Sequence, residues 1–363
     1  MIGIFGAGRN GSTLLMRLLD GSPGLWVYPI ELNYFTDFAE NRRLSQVKRA
    51  VRNLLGRGDE KTEFLQWAKE QVEELNKVYV EQLAEPLSLR ANPLDVIAQK
   101  AGGSIRSRLP VFLEGMRSAY DARDLQPAPL LVFKSIEVSD LATYSALFPR
   151  MRFIHIIRHP FSNYASLKRT NIINKQKPFW FLGDLLRTQL EERWLAHARF
   201  ISEAGQQGSE RHFVTTYENL CTQPTHIVRD ICRWLQVAPP AVPAVQTVLG
   251  GRRMRELPDN PSKEGVKTPP HVVADMSREF GYEDVLTQRE KDFIILRTYS
   301  LARRLGYFAP DEVAELPRRF TVARRWFLPD QWEFMNAHSK FRLAGAVLRR
   351  RWYIYSRLLS SPS

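Results

Sequence analysis

The sequence predicts an α/β fold in which helices flank a central parallel sheet. Short apolar runs bounded by turn residues are typical of buried parallel strands, and helical patterns separate several of them. The candidate strands are residues 2–5, 26–30, 131–133, 153–157 and 212–216. This alternation of strands and helices favours βαβ crossovers around the sheet.

Two long helical patterns follow the second candidate strand. They span residues 44–55 and 62–83, and Thr62 has a side chain suited to a helix N-cap. We expect a helical insert over about residues 37–125, which either covers a substrate cleft or packs as ordinary structural helices. Beyond Pro310 the composition turns basic and aromatic, so we expect one domain over residues 1–310 and a basic helical C-terminal extension over residues 311–363.

The charge balance favours an anionic partner. The 363 residues include 52 Lys and Arg against 39 Asp and Glu, and residues 318–363 alone contribute +8 of the net +13. Such a surplus suits nucleotides, acidic glycans, nucleic acid or a membrane surface. Arginine clusters such as Arg349 to Arg351 alternate with aromatic residues, which is typical of packing helices with arginines at their surface; the alternative is a contact with a membrane surface, a glycan or a partner chain. No recognised nucleic-acid motif accompanies them, so nucleic acid is not expected as a partner.

Cysteine usage and the N-terminus indicate a cytoplasmic protein. Cys221 and Cys232 are the two cysteines, and we expect free thiols rather than a disulfide framework or a zinc site. The N-terminus runs straight into a glycine-rich loop, without the basic region and long apolar run of a signal peptide. No segment approaches the ~20 apolar residues of a membrane span, so membrane contact would be peripheral, through the extension.

The strongest local feature is a glycine-rich loop between the first strand and the first helical pattern. Gly6, Gly8 and Gly11 precede a helical pattern that runs through Leu19. Glycine lets a backbone approach a ligand closely, and the free N–H groups at a helix N-terminus attract phosphate. The loop therefore predicts a P-loop-like anion site, with a ligand-free tight turn as the alternative.

Three nucleotide interpretations compete for this loop. A Walker loop would have lysine where Ser12 stands, so an ATPase or kinase would lack the charge that reaches the β- and γ-phosphates. A Rossmann loop fits G-x-G-x-x-G, and Glu31 lies 20 residues after Gly11, at the distance of an acid that binds a ribose hydroxyl. The third interpretation makes Arg9 the charged group of the loop.

A second cationic segment ends the fourth candidate strand. Arg158 follows the apolar run, Pro160 suits the first turn of the next helix, and Ser166 lies eight residues after Arg158. An arginine at a strand end and a hydroxyl on the following helix can bind one phosphate, because a guanidinium offers a bidentate fork. A capped helix with a surface arginine is the alternative.

Together the two segments resemble the PAPS-dependent sulfotransferases, whose sulfuryl donor is 3'-phosphoadenosine 5'-phosphosulfate (PAPS) and whose nucleotide product is PAP. Their phosphosulfate loop reads Lys/Arg-Ser-Gly-Thr/Ser-Thr. The resemblance assigns the 5'-phosphosulfate to Arg9, Asn10, Gly11, Ser12 and Thr13, where asparagine replaces the usual serine. It assigns the 3'-phosphate to Arg158 and Ser166. It implies a P-loop NTPase-like fold and a reaction that needs no metal, because PAPS brings its own activated leaving group.

The resemblance also implies catalytic roles. Glycan and protein-tyrosine sulfotransferases carry a catalytic glutamate in the region of Glu31, which makes Glu31 the leading base; a surface carboxylate is the alternative. Arg9 would stabilise the bridging oxygen as PAP leaves, and Lys134 would contact the sulfuryl group or the acceptor. The branch that sulfates small phenols has histidine at the position of Ile136, which argues against that branch here, and Glu31 favours a glycan, lipid-linked or protein acceptor. His159 is a minor alternative base.

Two further segments resemble the family. Residues 212–220 match its strand followed by Tyr-Glu-Asp/Asn-Leu, which would set Tyr217 near the adenine; a partly buried tyrosine is the alternative. Residues 262–269 resemble the late basic loop that closes over the nucleotide, with Lys267 as the cation and Arg252 or Arg253 as alternatives. Solvated loop charges are the competing interpretation.

Two rival functions stay open on the sequence. A Rossmann-type NAD-binding oxidoreductase would use the three loop glycines and Glu31, and it would not need Arg158. A non-catalytic protein that binds anionic lipid or glycan would depend on residues 318–363.

Overall fold

The computed structural model of the chain describes residues 1–35, 60–80, 83–85, 87, 89–100, 105–121, 123, 129–174, 186–206, 210–241, 245–253, 282–308, 316–317, 322 and 356. The chain divides into two compact units. Unit 1 comprises Met1–Gly6, Gly11–Ile156 and Ser209–Asp275, and unit 2 comprises Ala7–Asn10, Ile157–Gly208 and Met276–Ser363. The predicted helix at residues 44–55 and nearly all of the basic extension lie outside the described residues.

A five-stranded sheet organises unit 1. Its strands are β1 Ile2–Phe5, β2 Leu25–Glu31, β3 Leu130–Ser135, β4 Arg152–Ile157 and β5 His212–Thr216. The strand order is β2-β3-β1-β4-β5, and β1 pairs in parallel with both β3 and β4, as β2 does with β3. All five predicted strands are confirmed, and the α/β fold class with them.

The described helices are α1 Ser12–Leu19, α2 Glu60–Val78, α3 Pro93–Lys100, α4 Ile105–Tyr120, α5 Leu141–Leu147, α6 Pro160–Lys168, α7 Ala196–Gln206, α8 Tyr217–Thr222, α9 Pro224–Leu235 and α10 Gln288–Arg304. Two π-helical segments, Arg169–Asn174 and Leu186–Leu195, lie between α6 and α7 in the chain. Within the described residues, no helix combines the length and the apolar character that a membrane crossing requires.

The alternation of side chains along the strands gives the sheet one aliphatic and one aromatic face. Ile4, Val132 and Ile154 belong to a buried aliphatic cluster with side chains of α1 and α9. Cys232 of α9 is buried in this cluster, and both cysteines are free thiols, as predicted. The aliphatic cluster fixes α1, whose N-terminus follows the glycine-rich loop.

The opposite face of the sheet is aromatic. Phe5 packs edge-on against Phe133 and Tyr144, with ring centroids 6.1 and 5.2 Å apart. Tyr28 of β2 packs edge-on against Phe112 of α4 at 5.4 Å. The strands β1 to β4 are therefore largely buried on both faces, which explains their apolar runs, whereas β5 exposes Val214.

The described residues between β2 and β3 include α2, where the sequence predicts a helix over residues 62–83, together with α3 and α4. However, α2 begins at Glu60 and ends at Val78, so the prediction that Thr62 caps this helix is wrong. Glutamate and lysine are good helix formers, and Glu60 and Lys61 extend the helix past the predicted cap.

Unit 2 has its own buried core, in which Phe161 of α6 and Phe293 of α10 belong to one apolar cluster. At the end of α6, Lys168 Nζ donates hydrogen bonds to Glu290 Oε2 at 2.7 Å and to the Val285 carbonyl at 2.8 Å. Glu290 also closes the capping box of α10. A buried ammonium with two close acceptors fixes the end of the helix that carries Ser166.

The strand order disfavours the Rossmann interpretation. A Rossmann sheet has the order 3-2-1-4-5-6, in which the second strand lies beside the first. Here β3 lies between β1 and β2. Glu31 ends β2 and pairs with Lys134 of β3, so it is not on the strand beside the glycine-rich loop.

Candidate functional site

The glycine-rich loop joins β1 to α1 through two residues with positive φ. Arg9 has a φ of 71° and Gly11, the N-cap of α1, has a φ of 89°. The left-handed region is open to glycine but strained for arginine. Non-glycine residues held in that region concentrate at functional sites. The Asn10 N–H donates to the Ala7 carbonyl at 3.1 Å and closes the turn.

A network of buried side-chain amides holds this loop within unit 2. The Asn163 amide donates to the Gly8 carbonyl at 2.8 Å and to Asn10 Oδ1 at 2.6 Å. Gln189 donates to the same Gly8 carbonyl and to Asn163 Oδ1, each at 2.7 Å. Asn10, Asn163 and Gln189 are at most 1% exposed. Asn10 therefore contributes its side-chain oxygen to holding the loop, and any contact with a bridging oxygen stays a prediction.

Arg9 of the glycine-rich loop meets the second cationic segment inside unit 2. Arg9 Nε donates to Ser166 Oγ at 3.2 Å, although 157 residues separate them in the chain. Arg158 Nη1 donates to the Arg9 carbonyl at 3.3 Å. Trp194 Nε1 donates to the Arg158 carbonyl at 2.8 Å and fixes this end of β4. The guanidinium groups of Arg9 and Arg158 and the Ser166 hydroxyl are donors that favour an anionic ligand, because guanidinium groups form charge-assisted hydrogen bonds to anionic oxygens.

Lys134 connects the start of α1 to Glu31 inside unit 1. Its Nζ donates to Thr13 Oγ1 at 2.9 Å and to Glu31 Oε2 at 3.3 Å. Burial lowers the pKa of Lys134 below its ordinary value, and the nearby Glu31 carboxylate opposes this effect. The Lys134 side chain is 7% exposed and the Glu31 side chain 31%, so the carboxylate reaches solvent while the ammonium is enclosed. These residues lie at the carboxyl ends of β2 and β3, where ligands bind in open parallel sheets.

Tyr217 packs against the backbone of Gly11 in unit 1. A Cβ atom placed on Gly11 would lie 2.3 Å from Tyr217 Cδ2 and 2.8 Å from Cε2. The tyrosine is 7% exposed. Its ring therefore covers the residue that caps α1, and the assignment of Tyr217 to the adenine stays a prediction.

Replacing Gly11 by alanine should destabilise the chain strongly, because the new methyl group meets Tyr217 and the residue has positive φ. Gly306→Ala is the matched control: Gly306 has a φ of 85°, and nothing lies within 4 Å of its added Cβ. The control should lose only the unfolding free energy that the left-handed backbone conformation costs an alanine, about 1–2 kcal/mol. Gly11→Ala should lose a further ~1–3 kcal/mol of unfolding free energy through overpacking, measured by urea unfolding. Equal losses in the two variants would contradict the close Tyr217 contact.

The other residues that the sequence proposed for the site are His159, Ser12 and Lys267. His159 caps α6 by accepting the Phe161 N–H at its Nδ1. Burial and then the Arg158 charge lower the pKa of His159 to about 4, so its imidazole is neutral near pH 7 and one nitrogen is already used. Ser12 is the first residue of α1 and is buried. Lys267 lies outside the described residues.

Sequence reasoning missed several residues that shape this region. Asn163 lies between Arg158 and Ser166, so the second motif itself offered a signal for it. Gln189 lies in the π-helical segment Leu186–Leu195, far from either motif, and nothing in the sequence marks it. Asn33 lies two residues after Glu31 and donates to Glu31 Oε1 at 3.0 Å.

A parallel sheet with a glycine-rich loop entering a helix, and with a second arginine held against that loop, defines an α/β protein suited to an anionic ligand. A sequence model described as the sulfotransferase family matches residues 2–240 of the chain. The chain therefore belongs to the sulfotransferase family. No curated protein sequence matches it.

Several solved structures are similar to the chain. The sulfotransferase domain from the curacin biosynthetic pathway is 20% identical, with a TM-score of 0.48, covering 85% of this chain and 98% of that one. The sulfotransferase domain of the Synechococcus PCC 7002 olefin synthase is 19% identical, with a TM-score of 0.44, over 85% and 95% of the two chains. A sulfotransferase from Alicyclobacillus acidocaldarius is 14% identical, with a TM-score of 0.36, over 67% and 83%.

Proposed function

We propose that the chain transfers a sulfuryl group from PAPS to a hydroxyl group of a glycan, lipid-linked or protein acceptor. Membership of the sulfotransferase family supports sulfuryl transfer as the reaction. The observation that carries the choice of donor is the contact of Arg9 with both Ser166 and Arg158. PAPS carries anionic groups on both the 3' and the 5' side of its ribose, and two converging cationic segments suit such a ligand.

In the proposed complex, each of the two cationic segments binds one end of PAPS. Arg158 and Ser166 bind the 3'-phosphate, and residues 9–13 bind the 5'-phosphosulfate with backbone N–H groups and hydroxyls at the start of α1. The proposal also assigns Tyr217 to the adenine and Lys267 to the nucleotide. The amides of Asn163 and Gln189 support these roles, because they hold the loop in one conformation.

Glu31 is the base in the proposed reaction. The acceptor hydroxyl gives its proton to the Glu31 carboxylate, its oxygen forms a new bond to sulfur, and the bond from sulfur to the bridging oxygen of PAPS breaks, releasing PAP. Arg9 stabilises the charge on the departing oxygen electrostatically, because a guanidinium keeps its proton. Thr13, Lys134 and Glu31 form one hydrogen-bonded series inside unit 1, which supports Lys134 as the contact to the sulfuryl group or the acceptor.

The acceptor class rests on Glu31. Glu31 corresponds to the glutamate of glycan and protein-tyrosine sulfotransferases, and Ile136 stands where the small-phenol branch has its histidine. The basic extension would add a peripheral membrane or glycan contact that brings such an acceptor to the enzyme.

The test is a transfer assay with radiolabelled PAPS and a panel of hydroxyl acceptors. The panel contains unsulfated chondroitin, galactosylceramide, a tyrosine peptide and 4-nitrophenol, with the Arg158→Ala variant as the negative control. We expect label on one of the first three, dependent on Arg158. Label on 4-nitrophenol alone would contradict the acceptor class. A chain that fails to bind PAP would contradict the choice of donor.

A further inference from the structure

Asn33 is held at both ends of its side-chain amide. Its Oδ1 accepts hydrogen bonds from Ser135 Oγ at 3.0 Å and from the Ile136 N–H at 3.3 Å. Its Nδ2 donates to Glu31 Oε1 at 3.0 Å. A backbone N–H can only donate, so it requires the amide oxygen on its side. The amide nitrogen therefore faces Glu31.

Glu31 is consequently bound at both carboxylate oxygens. Asn33 binds Oε1 and Lys134 binds Oε2. The strand geometry causes this arrangement: β2 has an irregular register between Val27 and Glu31, with Pro29 inside it, and pairs Glu31 directly with Lys134. After the pair, the Leu32 N–H donates to the Lys134 carbonyl at 2.7 Å. This hydrogen bond fixes the backbone immediately before Asn33.

We propose that Asn33 is the positioning residue for the catalytic base. It holds the Glu31 carboxylate in one plane, so that the partly exposed group meets the acceptor hydroxyl in one orientation. Asn33 neither takes up nor releases a proton; it fixes the base, as the third member of a nucleophile and base arrangement does. This inference rests on the proposed function, because Glu31 serves as a base only if the chain transfers a sulfuryl group to a hydroxyl.

The charges around Glu31 make an amide the suitable group at position 33. Lys134 of β3 faces the carboxylate, and the positive charge of Arg17 on α1 contributes to lowering the pKa of Lys134. A neutral donor orients the carboxylate without adding a second cation, which would weaken it as a base. An aspartate at position 33 would instead place a like charge beside Glu31 and oppose its ionisation.

The experiment compares Asn33→Asp and Asn33→Ala with the wild type in the PAPS transfer assay. The assay uses the best acceptor of the panel, and kcat and KM are followed from about pH 5 to about pH 9. PAP affinity is measured on the same samples. Asn92→Asp is the matched control: Asn92 accepts the Leu94 N–H in an exposed turn, and the substitution makes the same amide-to-carboxylate change away from the site.

We expect Asn33→Asp to shift the acidic limb of the kcat profile to higher pH by about one unit, and Asn33→Ala to lower kcat roughly 10- to 100-fold. PAP affinity should stay within about twofold of wild type in both, because the donor residues are intact. The control should keep the wild-type profile. A wild-type pH profile and kcat in both Asn33 variants would overturn the inference while leaving the proposed function intact. A wild-type chain that binds PAP but transfers no label would instead refute the proposed function, and the inference with it.

Discussion

Replacing Glu31 by glutamine is expected to lower turnover roughly 100- to 10,000-fold while leaving PAP affinity within about twofold of wild type. General-base catalysis contributes a factor of this size, and glutamine cannot take up the acceptor proton. Glutamine has nearly the same shape as glutamate and can still accept a hydrogen bond from Lys134. The change therefore removes the base and can keep the Lys134 contact, while the amide nitrogen of the glutamine cannot accept the hydrogen bond from Asn33. Single-turnover transfer from labelled PAPS, with PAP titration alongside, measures both quantities.

Glu114→Gln is the matched control for this prediction. The Glu114 side chain is 35% exposed, close to the 31% of Glu31, and it pairs with Arg117 as Glu31 pairs with Lys134. Its loss should leave turnover unchanged, because Glu114 lies on α4 and has no assigned role in the reaction. Normal turnover in Glu31→Gln would show that Glu31 is not the base.

The Arg158→Ala variant should lose about 2–5 kcal/mol of PAP binding free energy, which is roughly 30-fold to several thousand-fold in affinity. Arg158 is 5% exposed, so the proposal gives the 3'-phosphate a largely desolvated, charge-assisted contact. AMP has no 3'-phosphate, and its affinity should change little. The variant should therefore lose the discrimination between PAP and AMP.

Arg152→Ala is the control for Arg158→Ala, because it removes an arginine from the same strand. Arg152 lies at the start of β4, where its Nη1 donates to the Trp234 carbonyl at 3.1 Å. PAP affinity in this control should stay within about twofold of wild type. A PAP affinity in Arg158→Ala that matches the wild type would remove Arg158 from the nucleotide site.

The features predictable from the sequence depend on local patterns. Apolar runs located the strands β1 to β4, because a strand buried on both faces needs no polar residues, whereas β5 contains His212 and two threonines and exposes Val214. The glycine-rich loop and the segment from Arg158 to Ser166 each place a cation beside a helix start, and within unit 2 Arg9 Nε donates to Ser166 Oγ. Within each of these short segments, the strand end and the start of the next helix fix the distance between the residues. The spacing in the sequence is therefore enough to predict that distance.

The features that the sequence did not show depend on contacts between distant segments. The pairing of Glu31 with Lys134 follows from the strand order and from an irregular register near Pro29. Gln189 reaches the Gly8 carbonyl from a π-helical segment 181 residues further along the chain. The predicted start of α2 was wrong because good helix formers precede Thr62, and their helix propensity outweighed a single capping side chain.

Calorimetric titration of the full chain with PAP, AMP and NAD, under one buffer and salt condition, tests the nucleotide site most directly. The convergence of Arg9, Arg158 and Ser166 predicts one PAP site per chain. PAP should bind about 100-fold more tightly than AMP or better, because a charge-assisted contact to the 3'-phosphate contributes at least a few kcal/mol. NAD should bind more weakly than PAP. Equal affinities for PAP and AMP, or tighter binding of NAD, would contradict a site built for a 3'-phosphorylated adenosine.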